Sequence, residues 1–292
     1  MNIIFQEIAL LYNDIDHKLN NRNELLTVSF GTTSAESRLY NIDAVEQAIK
    51  DAVGDDWTVR RCFTSQTIIN LIHKREGIRI DSVEEALQKA KVRGTKDIVI
   101  QPTHLMKGLE YEKIKLIVSE YERFFESITL GDPLLSSEED LVRVVTALAG
   151  DSAEFDDGET ALVFMGHGTE AAANDIYRRI QNLFISKGMY NYFIGTVEAE
   201  PSLEDVLAAV AKGSYSRVVV RPLMLVAGNH AVNDMASAAD PDSWYSRFTA
   251  AGYETSCIIK GLGQISEIRD IYAEHAKKAV SQAIHSGYSD SL

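Results

Sequence analysis

Short, continuous apolar runs alternate along this chain with longer amphipathic stretches. The runs fall at residues 25–30, 57–63, 98–101, 161–165, 192–197 and 217–225. Most are too apolar to be half-solvated strands, so they predict strands buried on both faces. The stretches between them carry helical spacing. Residues 82–93 place Val83, Ala86, Leu87 and Ala90 on one face and end at Gly94. Residues 110–125 do the same with Ile114, Ile117, Val118, Tyr121 and Phe125. Further helices are predicted at 65–74, 141–148, 171–186, 202–212 and from about 264 onward. Thr33-Ser34-Ala35-Glu36 reads as a capping box opening a helix that runs through Ile49. Strands alternating with helices predict an α/β fold with a parallel sheet in each half.

The two halves share one plan. The run ending Val28-Ser29-Phe30-Gly31-Thr32 parallels the run ending Met165-Gly166-His167-Gly168-Thr169, so Phe30 stands where His167 stands. The segment from Asp97 through Pro102 and Gly108 to Glu110 parallels Arg217 through Pro222 and Gly228 to His230. Glu110 thus falls opposite His230. A period of roughly 120 to 135 residues is too long for a solenoid unit and predicts two similar domains with a cleft between them. The polar stretch Asp151 to Gly158 marks the boundary. The predicted division is 1–21 as an N-terminal helical extension, 22–150 as the first α/β domain and 151–292 as the second.

Composition narrows the function. The chain has 292 residues and a formal net charge of −14, with no basic run, which argues against nucleic acid and anionic membranes as partners. No run of 18 apolar residues occurs, and the N-terminus lacks the basic region and cleavage site of a signal peptide. The expected compartment is the cytoplasm. Cys62 and Cys257 share no CxxC spacing and are expected to be free thiols. No GxGxxG, GxxxxGK[ST] or GxSxG motif is present. No organic cofactor is expected, and the oligomeric state is not readable.

The candidate chemistry lies at predicted strand ends, where α/β sheets place ligands. His167 sits between two glycines, and His230 follows Gly228-Asn229. Glu198 ends the run Tyr192 to Val197. Two imidazoles and a carboxylate form a ligand set that leaves positions open for a substrate. Each residue also has a plainer reading: a turn histidine, a helix-start histidine and a solvated strand-end acid. Glu200 competes with Glu198, although Pro201 makes continuation of the strand doubtful. Glu110 is either a cleft residue or a first-turn acid favoured by the helix dipole. His104 reads more readily as a core histidine than as a cleft residue. His17, His73, His275 and His285 are expected at the surface.

Taken in order, VSFGT, QPTHLMKGLEYE, MGHGTE, GTVEAEPS and RPLMLVAGNHAVNDM resemble the anaerobic cobaltochelatases, the CbiK type of class II tetrapyrrole chelatase, over roughly residues 24 to 285. The resemblance implies a chelatase fold of two similar α/β domains and insertion of Co2+ into sirohydrochlorin, with release of two protons, on the anaerobic route to cobalamin. It implies His167 and His230 as metal-binding histidines, Glu198 as the metal-facing glutamate, and Glu110 near the macrocycle. His167, then Glu110, are the candidates for accepting a pyrrole proton. Because the macrocycle carries carboxylates, cations should line the cleft. Lys107 and Arg221, with Arg38 behind them, are the candidates, and Phe30 is a candidate contact for the ring. A related chelatase acting on Fe2+ or Ni2+, and a carrier of metal or tetrapyrrole that performs no chemistry, remain the alternatives.

Overall fold

The computed structural model describes residues 23–289, and side chains through residue 284. The predicted N-terminal extension and His17 lie outside the described residues, as does the side chain of His285.

The described chain runs β1 (Asn23–Ser29), a single helical turn at Ala35–Ser37 continued by a π-helical segment Arg38–Asp43, α1 (Ala44–Val53), β2 (Thr58–Phe63), α2 (Gln66–Glu76), β3 (Asp81–Ser82), α3 (Val83–Arg93), β4 (Asp97–Pro102), α4 (Leu109–Tyr121), β5 (Ser127–Leu130) and α5 (Glu138–Asp151). It continues with β6 (Thr160–Gly166), α6 (Asp175–Ser186), β7 (Tyr192–Thr196), α7 (Leu203–Val210), β8 (Arg217–Pro222), a π-helical segment Ala231–Met235, α8 (Trp244–Ala250), β9 (Glu254–Cys257) and α9 (Ser266–Ser289). The first sheet has the order β3-β2-β1-β4-β5 and the second β7-β6-β8-β9. Every strand pair is parallel. The fold is two α/β domains, each with a parallel sheet, as the alternation predicts.

The local rules are visible at the helix ends. Ser82 and Glu85 form a capping box at the start of α3, and Gly94 closes it in the left-handed region. At the first helical turn, Ser34 is the cap and accepts from Ser37 N, in place of the box expected from Thr33 to Glu36. The run predicted as a strand over 217–225 stops at Pro222, which has no N–H to continue the ladder. Three short strands, β3, β5 and β9, and helix α8 went unpredicted.

Alternate residues of each central strand serve opposite faces. Leu26, Val28, Ile98 and Ile100 pack on Ala86, Leu87, Ile114 and Val118 on the outer face of the first sheet. Ala161, Val163, Val218 and Val220 meet Val206, Trp244 and Phe248 on the outer face of the second. The two inner faces share one core, in which Leu25 and Val99 join Leu162 and Phe164 through residues of α5, α6 and α9.

This sharing corrects the predicted division. Helix α9 packs on α1, β4, β5 and α5, all in the first half. Tyr272, fully buried, donates its hydroxyl to Thr103 O at 2.9 Å. The chain therefore crosses back after β9, because the inner face of the first sheet needs an apolar cover that its own half does not supply. Ile268 and Ile271 are fully buried in that contact. Truncating either to alanine should cost about 2–5 kcal/mol. His275, expected at the surface, is only 11% exposed and lies 3.2 Å from Asp140 Oδ1 and 3.2 Å from Asp132 O, fastening the same helix.

Candidate metal centre

The carboxyl ends of β6 and β7 continue to pair after the strands end. Val197 N donates to Gly166 O at 3.0 Å and Glu198 N to His167 O at 2.9 Å. Main-chain bonding alone thus sets Glu198 beside His167. The turn between them requires its glycines. A Cβ on Gly166 would overlap the Tyr177 ring, and Gly168 has φ +87° with Ala199 N only 2.9 Å from where its Cβ would stand. The Tyr177 hydroxyl, buried under the turn, accepts from Gly168 N at 3.3 Å.

His230 arrives from the other side, on the first turn of the helical segment that follows the loop after β8. That loop is tied to the first domain, since Ser37 Oγ donates to Ala227 O at 2.9 Å and Val226 packs on Ile42 and Phe63. The two imidazole rings stand edge to face with centroids 4.7 Å apart. One ligand atom each from His167, Glu198 and His230 lies within 4.8 Å of the others. Glu200 contributes no atom to this set. Its main-chain oxygen instead accepts from Asn174 Nδ2 at 2.6 Å.

Both rings have an outer partner. His167 Nδ1 lies 3.0 Å from Gly168 O, and His230 Nδ1 lies 2.7 Å from Asp234 Oδ2. A carbonyl or carboxylate oxygen can only accept, so each Nδ1 carries a proton, which leaves Nε2 as the nitrogen available to a metal. Glu198 Oε2 stands 3.6 Å from His167 Nδ1. Two imidazoles and a carboxylate make a mixed N/O donor set suited to a divalent transition metal. Asp234 was missed in the sequence, although its place four residues after His230 on a helical segment was a readable signal.

The other predicted residues scatter. Phe30 is 51% exposed, directly after the end of β1. Arg221 is corrected: its side chain is 4% exposed and bound to Asp151, with Ser152 Oγ at 2.6 Å, so it ties β8 to the end of α5 and cannot meet a ligand. Arg38 is likewise buried against Glu76 and Thr32 O. Lys107 pairs with Asp132 at 2.9 Å but keeps 49% of its side chain exposed. Glu110 pairs with Lys113 at 2.6 Å. Burial would raise its carboxyl, but Lys113, Thr64 and His104 hold it below the ordinary carboxylate range. His104 is half-buried, but both its ring nitrogens are buried and have no hydrogen-bond partner among the described residues. Burial pushes it down to about 4, against the opposing charge of Glu110. Cys62 and Cys257 are free thiols. No helix among the described residues is long and apolar enough to cross a membrane.

A pair of parallel α/β domains with a His/Glu/His cluster at the strand ends of the second defines a chelatase-like, metal-handling protein. Solved structures agree on the fold. SirB from Bacillus subtilis, with Fe3+, superposes with a TM-score of 0.58 at 14% identity over 90% of this chain and 97% of its own. CbiX, described as the terminal enzyme of siroheme biosynthesis in denitrifying bacteria, gives 0.52 at 14% identity over 88% and 99%. The sequence identifies the branch. The cobalt chelatase (CbiK) family matches residues 23–281. A sirohydrochlorin cobaltochelatase of Salmonella typhimurium is 37% identical over 90% of this chain and 98% of its own. Sirohydrochlorin cobaltochelatase CbiKC of Nitratidesulfovibrio vulgaris is 32% identical over 70% and 72%. The chain belongs to the cobalt chelatase (CbiK) family.

Proposed function

We propose that the protein inserts Co2+ into sirohydrochlorin and that His167, Glu198 and His230 hold the metal as it enters the ring. The observation that carries this reading is the convergence of their three ligand atoms within 4.8 Å at the carboxyl edge of the second sheet. Two histidines and a glutamate displace part of the hydration shell and leave positions for the pyrrole nitrogens. The reaction exchanges one Co2+ for two pyrrole protons. His167 is the preferred acceptor, because its outer contact is the weaker of the two and lets its ring leave the metal and take a proton. Glu110 is disfavoured, since a carboxyl held below its ordinary range is a weaker base.

Of the cations predicted to meet the carboxylates of the macrocycle, Lys107 alone keeps a largely solvent-facing side chain. It is the one we assign to that contact, exchanging Asp132 for substrate. Phe30, exposed above the first sheet, is suited to lie against the ring.

A His/Glu donor set does not by itself select cobalt. The test is an anaerobic absorbance assay with sirohydrochlorin and Co2+, Fe2+ or Ni2+, each against a control without protein. Multiple turnovers fastest with Co2+ are expected. Faster turnover with Fe2+ or Ni2+ would reassign the metal. A spectral change that stops at one tetrapyrrole per chain would make the protein a carrier.

A further inference from the structure

We infer that Asp234 is a positioning residue for the metal centre, and that it makes His230 the anchoring ligand of the pair. The inference rests on the reading of His167, Glu198 and His230 as the metal-binding set.

The geometry is unequal on the two sides of the cluster. His230 Nδ1 is 2.7 Å from a carboxylate oxygen of Asp234, a charge-assisted distance. His167 Nδ1 is 3.0 Å from the neutral carbonyl of Gly168. Both contacts select the tautomer with a free Nε2. Only the carboxylate adds charge, and a carboxylate behind an imidazole makes the opposite nitrogen a stronger donor to metal. Asp234 lies in the helical segment Ala231–Met235 that His230 precedes as its N-cap, so the two stand four residues apart, with Nδ1 facing the carboxylate. Met235 and Ala231 bury that segment in the core of the second domain, so the Asp234–His230 pair has a fixed base. The Asp234 side chain is 41% exposed and makes no other ion pair among the described residues. His167 sits on a glycine turn with a weaker outer partner, so it is the ligand that lets go as the metal passes to the ring.

The experiment compares Asp234→Ala and Asp234→Asn with the unaltered protein, by titrating Co2+ alone into the full chain and recording the visible d–d spectrum of the bound ion. Asp234→Ala should raise the Kd for Co2+ by about 10- to 100-fold, the range for losing an outer-shell partner. Its spectrum should change, because the His230 ring is free to turn. Asp234→Asn keeps an accepting oxygen and loses only the charge. It should retain the spectrum and fall between the other two in affinity. In turnover, the KM for Co2+ should rise more than kcat falls. A folded Asp234→Ala protein with unaltered Kd and spectrum overturns the inference, as does Asp234→Asn behaving like Asp234→Ala. His230→Ala separates the two levels. If it lowers Co2+ affinity while Asp234→Ala does not, the ligand set stands and Asp234 has no role. If His230→Ala binds Co2+ like the unaltered protein, the ligand assignment and the inference fall together.

Discussion

The two domains end their central strands with the same backbone and different side chains. In the second domain Val197 N and Glu198 N donate to Gly166 O and His167 O. In the first, Thr64 N and Ser65 N donate to Ser29 O and Phe30 O at 2.9 and 3.3 Å. Leu223 N reaches Met165 O at 2.8 Å, and Thr103 N reaches Val28 O at the same distance. Gly31 and Gly168 both take positive φ. The proposed metal-binding positions His167, Glu198 and His230 therefore map onto Phe30, Ser65 and Glu110. Ser65 is also the cap of α2, accepting from Ile68 N. In the second domain the cap of α7 is Ser202, four residues beyond Glu198, and the intervening residues free Glu198 from that duty. The comparison teaches that the fold supplies a ligand-presenting platform twice, and that side-chain chemistry and one short insertion decide which copy can hold a metal.

Removing a ligand from the second platform is the harshest way to test that asymmetry. His230→Ala should lower the rate of insertion on the order of 1000-fold, about 4 kcal/mol in the barrier. Thermal unfolding should be little altered, because the ring is part-exposed. The anaerobic absorbance assay measures the first quantity and a melting curve the second. Insertion unchanged by this substitution would mean that the second platform is not where the metal is held.

The platforms also differ one turn earlier, where His104 in the first stands opposite Met224 in the second. Both ring nitrogens of His104 lack a partner, and burial pushes it down to about 4. An unfolded chain would protonate this histidine near 6.5. The sign follows from the depressed folded value. The stability it confers is complete above about 6.5 and is lost as pH falls toward 4, because the unfolded state takes up the proton first. Over that interval the loss should be on the order of 3 kcal/mol. His104→Met, which copies the second domain into the first, should flatten the fall. Urea unfolding at pH 7 and pH 4.5 would show it. An equally steep fall in the variant would place the acid sensitivity elsewhere.

Much of this asymmetry was legible before the structure. The pairing of Phe30 with His167 and of Glu110 with His230 follows from matched apolar runs and from Pro102 and Pro222 at equal distances before the second position. That His167, Glu198 and His230 come together follows from residue type at strand ends. What escaped was whatever depends on contacts distant in sequence. Arg221 looks available on a strand, but Asp151 claims it. The C-terminal helix looks like part of the second domain, and packs on the first because an uncovered sheet face lies there. Strands β5 and β9 are edge strands of four residues each, too short and too mixed to show a period.

If the platforms differ only in side chains, the first should be convertible. Phe30→His with Ser65→Glu and Glu110→His should raise the Co2+ stoichiometry from one to two per chain in an equilibrium titration. The second site should be about 10- to 100-fold weaker than the native one, because Ile114, fully buried, stands where Asp234 stands. The lost serine cap should cost about 0.5–2 kcal/mol of stability. A stoichiometry still at one would show that the three residues between Glu198 and Ser202 are needed as well.

The mildest difference is in what supports each turn. The first-domain turn rests on an apolar ring, since a Cβ on Gly31 would come within 2.6 Å of Phe63 Cδ2. The second rests on Tyr177, whose ring fills the space left by Gly166 and whose hydroxyl accepts from Gly168 N. Tyr177→Phe gives the second turn the apolar support of the first. The ring and its packing stay, and only the hydrogen bond is lost, at about 1 kcal/mol. Because Gly168 O is the outer partner of His167, part of that loss should reach the metal. We expect a lowered melting temperature and a rise of severalfold in the Kd for Co2+, smaller than that of Asp234→Ala. A full drop in stability with no change in Co2+ affinity would mean that the glycines alone fix the His167 turn, and that the tyrosine serves only the core.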